Sequence, residues 1–95
     1  MSILHLLRTS PFSNQQIENM LTMLNEDDKI VLIDDGCYLL NHQHLTTCLE
    51  STNSVICVVE PHILARNIKL PNGIDAISFD TLTELFTKYQ STITW

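Results

Sequence analysis

Three cysteines carry the most evident chemistry in this 95-residue sequence, Cys37, Cys48 and Cys57. A thiol becomes a good nucleophile when a cation or a helix N-terminus lowers its pKa. Cys37 instead follows two aspartates, which raise the pKa of a neighbouring thiol, so we interpret it as an unreactive loop thiol. Cys57 lies in an apolar run and is expected in the core, and Cys48 occupies a predicted helix. The odd number of cysteines and the absence of a Cys-X-X-Cys pair predict free thiols in a reducing compartment.

Four histidines provide the other candidate catalytic or metal-binding groups. His42 and His44 are two residues apart, which points them in different directions on a helix, and no third ligand follows at a metal-site spacing. His5 lies in the predicted first strand and His62 at the predicted start of a helix. Either has the chemistry of a general base, but a lone histidine is more often a hydrogen-bonded structural residue. We therefore predict no metal site and assign no catalytic histidine.

Asp34 and Asp35, followed by Gly36, end a strongly apolar run. Two carboxylates suit Mg²⁺, but no phosphate-binding loop or well-placed lysine accompanies them. The simpler interpretation is a solvated turn in which Gly36 supplies a positive φ. Gly36 and Gly73 are the only glycines, so a Rossmann fingerprint and a P-loop are excluded. The sequence thus predicts no catalytic, cofactor-binding or metal-binding residue.

The elements that would position these residues alternate between strand and helix. The unbroken apolar runs are typical of strands covered on both faces, and the alternation predicts an α/β fold. We expect an open, mostly parallel sheet of four or five strands with helices on both faces, in one domain spanning residues 1–95. Strands are predicted at 2–7, 29–33, 55–59 and 76–79, with a possible fifth at 92–95. Helices are predicted at 14–25, 38–49 and 62–66. A last helix is predicted to begin after a cap at Asp80 or Thr81.

The charge balance limits the possible partners. The chain has eleven acidic residues and five scattered basic residues, which gives a formal net charge of −6. Direct binding to nucleic acid or to an anionic membrane is disfavoured, because both need a basic surface. The apolar runs are far shorter than the roughly 20 residues that span a bilayer. The apolar start lacks the features of a secretory signal, so we expect a cytoplasmic protein.

Several short motifs, weak individually, occur in a specific order. They are Leu4-His5-Leu6-Leu7, Ser10-Pro11-Phe12, Asp35-Gly36, Leu64-Ala65-Arg66 and Trp95. In this combination the whole chain resembles the TusB/DsrH family. The resemblance implies a DsrE/F/H-like fold and the B subunit of a TusBCD-type complex, a dimer of heterotrimers that relays persulfide sulfur toward 2-thiolation of the tRNA wobble uridine. It implies TusC-like and TusD-like partners, no cofactor, and a sulfur-carrying cysteine on the TusD-like subunit.

Two departures from the family pattern bear on this interpretation. The DsrH branch has a cysteine in the first helix, where this chain has Met20, which argues against a DsrH-type thiol role. Family members often have Ala-Arg-Gly after the third strand, where Asn67 replaces the glycine. Asparagine tolerates the left-handed conformation, so the assignment is retained.

Alternative functions remain at this point. One is a stand-alone thiol sulfurtransferase using Cys37. Another is a small acidic regulator of the response-receiver kind, but such proteins need a phosphorylatable aspartate after strand three, where this chain has Glu60. Tyr89, Ile93 and Trp95 are candidate contact residues for a partner, with Trp95 folding back onto its own core as the alternative.

Overall fold

Five strands form one parallel sheet. The computed structural model describes residues 2–10, 16–25, 27–41, 55–71 and 74–95. Every strand pair is parallel, and the strand order is β4-β3-β2-β1-β5. The predicted open α/β sheet is therefore confirmed, with the possible fifth strand present. The strands are β1 (Ile3–Leu7), β2 (Lys29–Leu32), β3 (Val55–Val59), β4 (Asp75–Ile77) and β5 (Ser91–Thr94).

Helices pack on both faces of this sheet, as predicted. Strand residues alternate between faces, so His5 and Leu7 lie on one side of β1 and Leu4 and Leu6 on the other. Leu7 belongs to a core cluster that contains Met20, Leu39 and Ile63, whereas Leu4 and Leu6 pack in a second cluster with Leu85. The helices are α1 (Gln16–Met23), a 3-10 helix (Asp34–Asn41), α2 (Glu60–Ala65) and α3 (Phe79–Lys88).

The last helix begins earlier than the sequence predicts. Neither Asp80 nor Thr81 is the cap, because Ser78 has extended backbone angles and its Oγ accepts a hydrogen bond from the Thr81 amide at 3.2 Å. A serine in this position satisfies one of the helix's unpaired amide groups. Phe79 consequently starts α3, and β4 ends at Ile77 instead of extending to residue 79.

The segment after β2 also differs from the prediction. A helical region was expected over 38–49, but a 3-10 helix begins at Asp34 and continues to Asn41. The prediction missed this start because it treated Asp34 as the first residue of a solvated turn. His42, His44 and Cys48 lie outside the described residues.

Gly36 has a different role from the one predicted. The left-handed residue of this segment is Asp34, with φ of 47°, so the expectation of a positive φ at Gly36 is wrong. A Cβ on Gly36 would lie 1.9 Å from the Leu7 carbonyl oxygen. The same carbonyl accepts a hydrogen bond from Ile33 at 2.9 Å. A glycine is needed here because the chain leaving β2 crosses directly against the end of β1.

Asn67 ends α2 in the conformation that the family pattern assigns to glycine. Its φ is 52°, its amide donates to the Leu64 carbonyl at 3.3 Å, and the Ile68 amide donates to the Ile63 carbonyl at 2.9 Å. These two bonds form a Schellman motif, and the buried Ile63 and Ile68 supply its hydrophobic contact. The prediction that asparagine replaces the glycine is confirmed. In the described part of the chain, the helices are too short or too polar to cross a membrane.

Candidate functional site

Polar and charged side chains gather at the carboxyl ends of β1, β2 and β3, where ligands bind in open α/β sheets. We call Arg8, Asp34, Asp35, His62 and Arg66 the carboxyl-edge cluster. Arg66 Nε donates to Asp35 Oδ1 at 3.2 Å, and Arg8 Nε lies 4.0 Å from Asp34 Oδ2. The two aspartates, considered and set aside as a Mg²⁺ site in the sequence analysis, thus face arginines of the same chain. Within the described residues, no three His, Cys, Asp or Glu side chains are grouped as a metal site requires.

His62 holds the backbone of the 3-10 helix in place. Its Nδ1 accepts a hydrogen bond from the Asp34 amide at 2.9 Å, and its Nε2 lies 3.8 Å from Asp34 Oδ1. The ring also contacts Phe79 edge-to-face, with centroids 5.3 Å apart. These contacts give His62 a structural role in joining α2, α3 and the end of β2.

Cys37 lies in the core rather than in an exposed loop. It is fully buried, and its Sγ is 3.7 Å from the Leu32 carbonyl oxygen. Burial is the main cause that raises the pKa of the Cys37 thiol to about 11; Arg66 opposes this rise, while Asp34 and Asp35 add to it. The predicted loop location is therefore wrong, because the 3-10 helix turns Cys37 onto the sheet. The predicted direction of the pKa shift is right, although burial is its main cause.

Cys57 is a core residue, as predicted. It is 1 % exposed and belongs to the cluster that α3 covers. Burial raises the pKa of this thiol to about 11 as well, with a smaller lowering by Lys29 and a smaller raising by Asp75. Neither described cysteine combines the exposure and the low pKa of a reactive thiol.

A buried polar network joins His5, Asp28 and Trp95. Trp95 Nε1 donates to His5 Nδ1 at 3.1 Å, and His5 Nε2 lies 2.9 Å from Asp28 Oδ2. Because an indole N–H can only donate, Nδ1 is the acceptor and Nε2 carries the proton that bonds Asp28. Asp28 also accepts hydrogen bonds from the amides of Ile3 at 2.9 Å and Asn25 at 3.1 Å.

The electrostatics of this network keep Asp28 ionised. Burial raises the pKa of the Asp28 carboxyl, but the hydrogen bonds from His5, Asn25 and Ile3 outweigh it, so the pKa lies below the ordinary value. His5 is fully buried, and its partner on the far side is an indole rather than a nucleophile. The carboxylate–imidazole pair therefore lacks the third member of a catalytic triad. His5 is therefore hydrogen-bonded on both ring nitrogens inside the fold, and Trp95 folds back onto its own chain.

Sequence reasoning missed Asp28, which lies between the helix predicted to end at residue 25 and the strand predicted to begin at residue 29. Asp28 is only 2 % exposed, although Asp27 beside it is exposed. The available signal for Asp28 was a histidine in an otherwise apolar strand, which requires a buried hydrogen-bonding partner.

Tyr89 and Ile93, which were predicted as contact residues together with Trp95, are half-buried. Tyr89 packs against the second core cluster.

A cleft opens at the carboxyl ends of β3 and β4, between the starts of α2 and α3. Its volume is ≈ 580 Å³. Pro61 and Ile77 form part of its apolar lining, Phe79 projects beside them, and Glu60 and Asp80 add carboxylates. We call this the β3–β4 cleft. Phe79 is 51 % exposed.

Together, the parallel sheet and its two helical layers define an open α/β protein whose described thiols are buried. The model of the DsrH-like protein family matches residues 9–92. The chain therefore belongs to the DsrH-like family, which confirms the TusB/DsrH resemblance and connects the chain with sulfur relay. No curated protein sequence gives a significant match.

Solved structures show the same fold. The crystal structure of YchN from E. coli superposes with a TM-score of 0.81 at 16 % identity, covering 100 % of this chain and 99 % of that one. The solution NMR structure of Tm0979 from Thermotoga maritima gives a TM-score of 0.66 at 17 % identity, with 93 % of each chain covered. At these identities the likeness establishes the fold alone.

Proposed function

We propose that this chain is a non-catalytic subunit of a TusBCD-type sulfur-relay complex, assembled with TusC-like and TusD-like subunits. In this proposal the complex passes persulfide sulfur toward 2-thiolation of the tRNA wobble uridine. The observation that carries it is the burial of Cys37 and Cys57 in a member of the DsrH-like family. A relay protein that buries its described thiols is better suited to positioning a partner than to carrying sulfur.

The chemistry of sulfur transfer explains why burial matters. An acceptor thiolate attacks the terminal sulfur of a persulfide, so the acceptor must be both ionised and accessible. A thiol with a pKa of about 11 is ionised in fewer than roughly one molecule in a thousand at neutral pH. The alternative of a stand-alone sulfurtransferase using Cys37 is disfavoured for the same reason.

The charge of the chain supports the rest of the proposal. With a net charge of −6, the chain repels phosphate backbones, so we assign contact with tRNA to the partner subunits. We place the complex in the cytoplasm, where free thiols are maintained.

Co-expression with TusC-like and TusD-like subunits tests the assembly. We expect the chain alone to be poorly behaved in size-exclusion chromatography with light scattering, and to form a defined hetero-oligomer with both partners. The edge strands β4 and β5 leave backbone groups unpaired on their outer sides, which a partner can cover. A stable monomer that ignores both partners would contradict the proposal.

A second experiment tests the passive role of the thiols. Cys37, Cys48 and Cys57 are replaced together by alanine, and tRNA thiolation is measured with the reconstituted complex. We expect thiolation to continue, whereas replacement of the carrier cysteine in the TusD-like subunit abolishes it. Loss of thiolation in the triple variant, with the complex still assembled, would mean that this chain carries sulfur.

A further inference from the structure

The β3–β4 cleft has the size and the position of a binding site. None of the side-chain contacts described above fills it. Its ≈ 580 Å³ lies in the range of protein ligand pockets, about 300–1,000 Å³. It opens at the carboxyl ends of two parallel strands, on the side of the sheet where α/β proteins bind their ligands. A cleft of this volume is large enough to admit a side chain of a second molecule.

Two carboxylates of this cleft have no basic partner among the described residues. All five Lys and Arg residues are described, and none lies within 4.0 Å of Glu60 or Asp80. Two of these cations, Arg8 and Arg66, face Asp34 and Asp35 instead. Glu60 and Asp80 each lie in the first turn of a helix, where the helix dipole favours an acidic residue. The dipole offsets only about half of one charge, so the cleft still attracts an external cation.

Phe79 adds a fixed aromatic surface beside these carboxylates. Half of its side chain is exposed, and its edge-to-face contact with His62, at a ring angle of 71°, holds the ring in place. A guanidinium group stacks on an aromatic ring and bonds carboxylates at the same time, which a lysine ammonium does less well. Pro61 and Ile77 provide apolar surface for the methylene groups of such a side chain.

From this combination we propose that the β3–β4 cleft is the docking site for an arginine-bearing segment of a partner subunit. The inference rests on the proposed function, because that function supplies the TusC-like and TusD-like partners. Phe79 anchors the segment by stacking, while Glu60 and Asp80 pair with its positive charge. Charge complementarity selects this occupant, since an acidic chain with a net charge of −6 repels a second copy of itself.

The test measures the affinity of the chain for a co-purified TusC-like–TusD-like pair by biolayer interferometry at several salt concentrations. We expect Phe79→Ala to weaken binding about 30-fold, the usual effect at an aromatic anchor. We expect E60Q/D80N to weaken it at least about tenfold and to flatten its salt dependence. The charge-retaining variant E60D/D80E is expected to keep the wild-type salt dependence.

Matched controls separate the cleft from general effects. Phe86→Ala removes an aromatic ring of similar exposure, 45 %, from the same helix outside the cleft. D27N/E84Q removes two exposed carboxylates elsewhere. Both controls are expected to bind within about threefold of wild type. Circular dichroism of every variant checks that its helices are intact.

Each outcome separates this inference from the proposed function. Absence of binding by the wild-type chain would overturn the proposed function and, with it, this inference. If the wild-type chain binds the pair and the cleft variants bind it as tightly as the controls do, this inference is overturned while the proposed function stands. A dimer of the isolated chain that Phe79→Ala dissociates would also overturn it, because the occupant would then be a second copy.

Discussion

Replacing Asp28 by asparagine tests the buried network most directly. Asp28 Oδ2 accepts from His5 and Asn25, and Oδ1 accepts from the Ile3 amide. An asparagine can keep its oxygen toward His5 and Asn25, but its NH₂ group then faces the Ile3 N–H, donor against donor. One buried amide loses its partner, which costs about 1–3 kcal/mol, and the remaining bonds lose their charge assistance.

We therefore expect Asp28→Asn to lower the free energy of unfolding by roughly 2–4 kcal/mol, or Tm by about 10–25 °C. Urea denaturation and thermal unfolding measure this effect, and hydrogen exchange of the Ile3 amide locates it. Asp27→Asn is the matched control, since it removes the same charge from an exposed neighbour. If the two variants are equally stable and the Ile3 amide is still protected from hydrogen exchange, the stabilising role of the network is refuted.

The pH dependence gives a second test of the same prediction. The pKa of Asp28 lies below its ordinary value in the folded chain, so ionised Asp28 stabilises the fold above that ordinary value, near pH 4. This stabilisation is lost as the pH falls through the folded pKa. The stability difference between wild type and Asp28→Asn should thus shrink in acid. A difference that stays constant down to pH 2 would contradict the lowered pKa.

Other predictions address single contacts. Gly36→Ala should destabilise by about 3 kcal/mol or more in urea denaturation, because its Cβ would overlap the end of β1; a Tm near wild type would contradict this. Asn67→Ala should cost about 1–2 kcal/mol while Asn67→Gly is tolerated, since only alanine is strained at φ of 52°. Ser78→Ala should remove about 1 kcal/mol of stability, and an unchanged urea midpoint would argue against the cap. In a Cys48→Ala background, iodoacetamide at pH 8 should modify Cys37 and Cys57 slowly until urea is added; fast native labelling in mass spectrometry would disprove their burial.

Local patterns were sufficient to predict the sheet, because buried parallel strands have an unmistakable composition. The apolar run at 55–59 matches β3, and the alternation of strands and helices specifies the class of fold. Helix starts were less predictable, since Ser78, Asp80 and Thr81 are all good caps and only the tertiary path of β4 selects among them.

Roles that depend on residues distant in sequence could not be predicted. Gly36 is required by the carbonyl of Leu7, and nothing in the residues adjoining Gly36 indicates that approach. The pairing of Asp28 with His5 joins residues 23 apart, and that of His5 with Trp95 joins residues 90 apart. The β3–β4 cleft likewise forms where two separate strand ends meet.

The position of β5 has a consequence for synthesis. β1 lies between β2 and β5, and Trp95 bonds back to both Leu6 and Arg8 through its backbone. During translation, β2 can pair with β1 early, but the other side of β1 stays open until β5 emerges. β5 ends 62 residues after β2, so at about 5–20 residues per second the chain waits roughly 3–12 s in that state. The ribosome-bound intermediate therefore exposes a nearly central strand of the finished sheet, and chaperone binding or premature pairing should concentrate there.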